Sequence, residues 1–209
     1  MDTIDTRIMA SLEGRHDIFF AENVALEGVT QKAIRFALAS LVKDGRLVRL
    51  AWGVYCNPPL EAYSNRRILP SPFAIAQAIA KRGNLTLIPH GATAAARVGL
   101  TSEVPNELVF LSTGCTRNIG LPDGKTIKMV NSSESRRFNF VDDRMRDLSN
   151  GLRYIGEARV GDHERDAVRL ALRDVPEENY RADLEKCPEW VRDILEDARK
   201  GNREKKNAQ

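Results

Sequence analysis

The sequence predicts an α+β protein in three parts: an N-terminal module of helices and a hairpin over residues 1–58, a small α+β module over 71–133, and a charged helical extension over 134–200. Three observations carry this. Apolar residues recur at helical spacing over 31–44 and then alternate over 47–55, so a helix gives way to a hairpin. The break Pro70-Ser71-Pro72 follows a stretch poor in apolar residues and marks a boundary. Beyond Ser132-Ser133 the chain turns heavily charged with helical periodicity.

Taken in order, Ile4, Ile8, Met9 and Leu12 mark a first amphipathic helix ended by Glu13-Gly14. A second apolar group, Ile18, Phe19, Phe20, Val24 and Leu26, is expected to contain a short helix that stops at Gly28. The third helix spans 31–44, with Thr30 as its N-cap. Its buried face is Ile34, Ala37, Leu38, Leu41 and Val42. On a wheel of about 100° per residue the opposite side holds Lys32, Phe36, Ala39 and Lys43, with Arg35 flanking. That outward face is basic and has no carboxylate. Asp44-Gly45 ends the helix, Leu47, Val48 and Leu50 form a strand, Ala51-Trp52-Gly53 turns the chain, and Val54-Tyr55 returns. Arg46, Arg49 and Trp52 decorate this hairpin.

Two helices, a third with a basic outer face, and then a hairpin is the order of a winged helix-turn-helix. A helix that buries one face and offers small and basic residues on the other fits a DNA major groove about 12 Å wide, and arginines on the adjacent hairpin can hold phosphates. For the helix alone, an amphipathic element whose charges meet solvent is the favoured reading; the Asp-Gly break and the basic hairpin together turn it toward DNA. The expected DNA-contacting residues are Gln31, Lys32, Arg35, Lys43, Arg46, Arg49 and Trp52. Charge distribution agrees: over 1–30 two arginines face six carboxylates, net −4, whereas over 31–58 five basic residues face Asp44 alone, net +4.

Asn57-Pro58-Pro59 closes the hairpin, and Ser64-Asn65-Arg66-Arg67 reads as solvated linker. The second module begins with a helix over 72–81, Pro72 at its start. A strand over 85–88, an alanine-rich helix over 91–98 closed by Gly99, and a strand over 107–111 follow; the small residues of that helix suit close packing on a sheet. Segments 119–121 and 126–130 flank the turn Pro122-Asp123-Gly124-Lys125, a good hairpin signal. Helices over 140–148, 162–173 and 183–199 make the extension, held by Leu184, Trp190, Val191, Ile194 and Leu195, and 201–209 reads as a disordered tail.

The chemistry-bearing residues form no enzymatic constellation. His16, His90 and His163 have no cysteine or carboxylate at ligand spacing, and Cys56, Cys115 and Cys187 are far apart, so no metal and no disulfide framework is expected. His90-Gly91 could hold an anion at a helix start, and helix capping explains it equally well. Asp123 and Lys125 have the Asp-x-Lys spacing of a metal-dependent nuclease, with Glu103 or Glu107 upstream to share the cation, but hairpin geometry alone accounts for Asp-Gly here. No phosphate-binding or nucleophile motif occurs. The expectation is a protein that is not an enzyme and takes no cofactor. Residues 1–5 lack the basic and apolar regions of a signal peptide and no apolar run is of membrane-spanning length, so a cytoplasmic protein without a membrane partner is expected.

Segment 31–57, then PSPFAIAQAIAKR, LIPHGATAAARVGLTSEVPNELVFLSTG and TIKMVN, resembles the AbiEi-type antitoxins of bacterial toxin and antitoxin operons over roughly residues 4–131. The most specific parts are Gly53-Val54-Tyr55 at the end of the wing and the GATAAARVGLTSEVP segment. The resemblance implies an N-terminal winged helix on operator DNA and a second domain used for antitoxicity, commonly against a nucleotidyltransferase-like toxin that is opposed without stable binding. The expected function is therefore an antitoxin that represses its own operon, with operator DNA and a cognate toxin as partners; palindromic or repeated half-sites would follow from two copies binding together as a homodimer on DNA, and the sequence does not fix the oligomer. The alternative is a protein-interaction module that clasps the toxin directly.

Overall fold

The computed structural model describes residues 3–64 and 66–207, with side chains as far as residue 202. Asn65 of the expected linker and residues 208–209 of the expected tail lie outside the described residues. The fold is α+β. It divides into two compact units, one through Arg82 together with Ile119–Lys125, the other Gly83–Asn118 with the chain from Thr126 on.

The first unit starts with α1 (Ile4–Ser11), whose N-cap Thr3 hydroxyl accepts the Thr6 N–H. Strand β1 (Ile18–Phe20), a single 3-10 turn at Ala21–Asn23, α2 (Gln31–Lys43), β2 (Val48–Ala51), β3 (Val54–Cys56) and α3 (Pro72–Arg82) follow. The three strands form an antiparallel sheet in the order β1-β3-β2. The second helix expected before Gly28 is thus a strand followed by one helical turn. Three consecutive β-favouring residues, Ile18, Phe19 and Phe20, pair with Cys56, Tyr55 and Val54, and the Phe19 ring stacks on Tyr55 at 5.9 Å. Ile8, Leu12, Phe19, Ile34, Leu38, Leu41, Leu47 and Tyr55 share the core of this unit. The helix over 72–81 groups with this unit as α3.

The second unit holds β4 (Leu87–Pro89), α4 (Ala92–Arg97), β5 (Glu107–Ser112), the first half of β6 (Arg117–Gly120), whose Ile119 and Gly120 group with the first unit, and β7 (Thr126–Asn131), then the helices α5 (Ser135–Phe138), α6 (Asp143–Ile155), α7 (Asp162–Ala171), α8 (Glu177–Leu184) and α9 (Glu189–Asn207). Its sheet runs β4-β5-β7-β6, with β4 antiparallel and β7 parallel to β5. The alanine-rich α4 lies against β5 and, more extensively, against α6. Ala95 and Leu100 join Met145, Leu148, Leu152, Val168, Leu172, Val191 and Leu195 in one core, so the charged extension and α4 bury their apolar faces together. Buried Asp183 fixes the entry to α6 by accepting the N–H groups of Val141 at 2.8 Å and Asp142 at 2.7 Å, with Lys186 Nζ 2.6 Å away.

Two expectations for the extension are corrected. The helix expected over 183–199 is two helices, α8 and α9, parted at 185–188 because Pro188 disfavours helical backbone at Cys187. The tail expected to be disordered is helical as far as Asn207: Asn202 Nδ2 donates to the Arg169 carbonyl at 2.8 Å, and the residues beyond it are mostly good helix formers.

Candidate functional site

Helix α2 is set by its ends and by its buried face. Thr30 Oγ1 accepts the Ala33 N–H at 3.3 Å, as the expected N-cap. At the other end Gly45, at φ 69°, reverses the chain, its N–H reaching the Val42 carbonyl and the Arg46 N–H the Leu41 carbonyl. This is a Schellman ending, and it aims the chain into β2. Ile34, Ala37, Leu38 and Leu41 are buried, which fixes the helix rotation and leaves Lys32, Arg35, Phe36, Ala39 and Lys43 exposed.

The hairpin supplies the facing wall. Gly53 at φ 71° makes the turn, and an irregularity between Arg49 and Ala51 shifts the register beside it. Arg49 pairs across the strands with Tyr55, its Nε donates to the Ala51 carbonyl at 3.4 Å, and its guanidinium lies 4.6 Å over the Trp52 ring. Stacking of this kind holds the arginine without neutralising it. Between hairpin and helix is an open cleft of about 570 Å³, lined by Lys32, Arg35, Phe36, Ala39, Arg49 and Trp52, with Ala21, Glu22, Gly53, Tyr55 and Arg82.

Of the seven residues expected to touch DNA, the structure brings Lys32, Arg35, Arg49 and Trp52 into this cleft. Lys43 and Arg46 are exposed at the last turn of α2 and just beyond it, outside the cleft lining. Gln31 has a structural task, since its Nε2 donates to the Val24 carbonyl at 2.9 Å and ties the preceding loop to the helix. The sequence reading missed Arg82. This last residue of α3 lies 4.7 Å over the Phe20 ring and 3.6 Å from Glu22. Its only sequence signal was the pair Lys81-Arg82 before Gly83. Phe36 was placed on the outer face but given no role, and it is 67 % exposed, with Trp52 at 85 %. Arg67, expected to be solvated linker, donates to the Gly45 carbonyl and ties its loop to the end of α2.

Of the residues that could have carried nuclease chemistry, Asp123, Lys125 and Glu107 are engaged with one another or with neighbours. Asp123 accepts the Lys125 N–H at 3.2 Å and pairs with its Nζ at 3.4 Å, a local turn with Gly124 at φ 83°. Glu107 pairs with Lys128 at 3.7 Å. Among the described residues no three of His, Cys, Asp and Glu are grouped to hold a metal ion. His16 Nδ1 shares a 2.8 Å hydrogen bond with the Asn57 carbonyl, and His163 is 3.5 Å from Glu164. Burial, and then Arg137 and Arg153, push the His90 imidazole below its ordinary range, and its Nδ1 is buried without a hydrogen-bond partner among the described residues. Cys56 and Cys187 are buried, their thiols pushed up to about 11 by desolvation, while Cys115 is exposed. No helix among the described residues is long and apolar enough to cross a membrane.

Comparison with known proteins adds a family and a fold. The family described as a family of unknown function, DUF6088, matches residues 4–180. A crystal structure of RV2827C protein from Mycobacterium tuberculosis is similar in fold, with a TM-score of 0.52 and 16% identity, over 95% of this chain and 78% of that one. No match was found among curated proteins.

Proposed function

The chain belongs to the DUF6088 family, and we propose that it is a sequence-specific DNA-binding protein that represses its own operon and serves as the antitoxin of a toxin and antitoxin pair. One observation carries the DNA-binding part: the solvent face of α2 and the adjoining hairpin form a single cleft whose cations Lys32, Arg35 and Arg49 face no carboxylate of either element. In the winged helix-turn-helix reading, α2 enters the major groove with Lys32 and Arg35 at base edges or flanking phosphates. Arg49 and Trp52 follow the backbone or the neighbouring minor groove, and Lys43, Arg46 and Arg82 extend the phosphate contacts. The antitoxin part rests on the resemblance of Gly53-Val54-Tyr55 and of the GATAAARVGLTSEVP segment to AbiEi-type antitoxins, and places the protein's action in the cytoplasm.

Titration of the protein against duplex DNA from its own upstream region, at several salt concentrations, tests the first part. Joint replacement of Lys32 and Arg35 by alanine is expected to weaken binding at least tenfold, at roughly 1 kcal/mol or more for each lost contact. Binding unchanged by that double substitution would overturn the assignment of α2 as the recognition helix.

The second reading, direct capture of a toxin, is favoured by the apolar residues Val104, Val141, Tyr154 and Leu170 exposed on the second unit. Co-expression with the product of the adjacent gene separates the two. Rescue from toxicity without co-purification fits an antitoxin that does not bind its toxin stably, and a complex that survives purification fits direct capture.

A further inference from the structure

A phosphate-gripping surface needs cations, and the α2 cleft has them, but Phe36, Ala39 and Trp52 line it too. Phe36 stands one turn beyond Lys32 and three residues before Ala39, all three lining the cleft, and it is outside the core that Ile34, Leu38 and Leu41 of the same helix share. Phe36, two-thirds exposed at the middle of a helix face, leaves most of its surface to solvent. Its neighbours argue for what covers it. Lys32, Arg35, Arg49 and Arg82 line the same cleft against a single carboxylate, Glu22, and this excess of positive charge suits a polyanion over an ordinary apolar partner.

We infer that Phe36, with Ala39 beside it, reads the C5-methyl group of thymine in the major groove and so sets an A·T preference in the middle of the recognised site. This rests on the DNA-binding reading and adds a specificity determinant to it. Among the groups a base pair presents in the major groove, the thymine methyl is the apolar one, and phenylalanine and alanine are side chains that meet it by contact. The arginine and lysine on either side can take guanine acceptors or phosphates, and neither distinguishes thymine from uracil. Phe36 and Ala39 therefore supply a discrimination that the cationic residues cannot.

The test selects preferred duplexes from a random-sequence pool with the full-length protein. Each thymine of the selected site is then replaced by deoxyuridine, one at a time. At one or two central positions the wild-type protein is expected to lose about fourfold in affinity, the value of one buried methyl group. Phe36→Ala binds the thymine duplex more weakly and is indifferent to deoxyuridine at one of those positions, and Phe36→Leu recovers the sensitivity. Because Phe36 is exposed, these variants fold, which unchanged thermal midpoints verify. Wild-type binding indifferent to deoxyuridine everywhere, or Phe36→Ala retaining full sensitivity, overturns the inference while leaving DNA binding intact. Failure to enrich any duplex overturns the DNA-binding reading itself, and this inference with it.

Discussion

Replacing Gly151 by alanine sets two known effects against each other, and the structure decides which wins. Gly151 lies within α6, so alanine should gain roughly 0.8–1 kcal/mol of helix propensity. A Cβ built there meets Ala95 Cα at 2.9 Å, Ala95 N at 3.1 Å and Leu100 Cδ1 at 2.9 Å. Two of these atoms are backbone of α4 or bonded to it, so no rotamer change relieves the clash and the helices must separate. Overpacking of a close helix contact costs about 1–3 kcal/mol, here toward the upper end because the obstacle is main chain. The balance is a loss of about 1–2 kcal/mol, or a thermal midpoint lowered by about 4–8 °C in a unit of this size. Gly201→Ala is the control: it lies in α9 with its nearest neighbour, Arg169 Nε, at 3.8 Å, so it should show the propensity gain and no clash. Thermal or urea unfolding of both variants measures the difference. A Gly151→Ala protein as stable as the wild type or more so would refute the close contact of α4 with α6 and the shared core built around it.

Two further outcomes follow from the same structure. Arg49→Ala should reduce the slope of log affinity against log salt by about 0.9, one phosphate contact, as measured by fluorescence anisotropy; an unchanged slope would mean that the stacked guanidinium meets no phosphate. Asp147 is buried, and burial holds its carboxyl above the usual carboxylate range, with Arg97 at 2.9 Å and Arg146 at 3.3 Å pulling it back. A raised folded-state pKa gives stability that is present below the ordinary value near 3.8 and lost as pH climbs through the folded value. The stability of Asp147→Asn relative to wild type should therefore rise between about pH 4 and about pH 7, checked by urea unfolding at both; the opposite trend would show that the arginines outweigh burial.

What could be read from the sequence was what periodicity and local stereochemistry govern. The rotation of α2, its Thr30 cap, the Asp44-Gly45 ending and the turn at Gly53 each depend on a few neighbouring residues, and each appears in the structure. What escaped depends on partners distant in sequence. Phe19 and Phe20 form a strand because Tyr55 and Val54 lie beside them, and their spacing alone also allows a helix. Arg82 reaches the edge of the cleft because α3 folds back onto Phe20, which nothing near Arg82 announces. Within the cleft, Lys32 and Arg35 were legible from the helical wheel. The bond of Gln31 to the Val24 carbonyl was not legible, because it depends on how the preceding loop closes.

The packing of α4 also bears on how function in the second unit can be located. The resemblance to AbiEi-type antitoxins ends near residue 131, and the helices beyond it read from sequence as an appendage. Yet Ala95 and Leu100, inside the resembling segment, are buried among Met145, Leu148 and Leu152 of α6. A chain cut at 133 would expose that apolar surface and strip α4 of its most extensive neighbour, α6. Loss of antitoxicity on truncation would then report unfolding and say nothing about which surface acts. Substitutions that keep the core intact are the informative ones, and Tyr154 and Leu170, exposed on α6 and α7, are the positions at which a toxin-facing surface should be sought first.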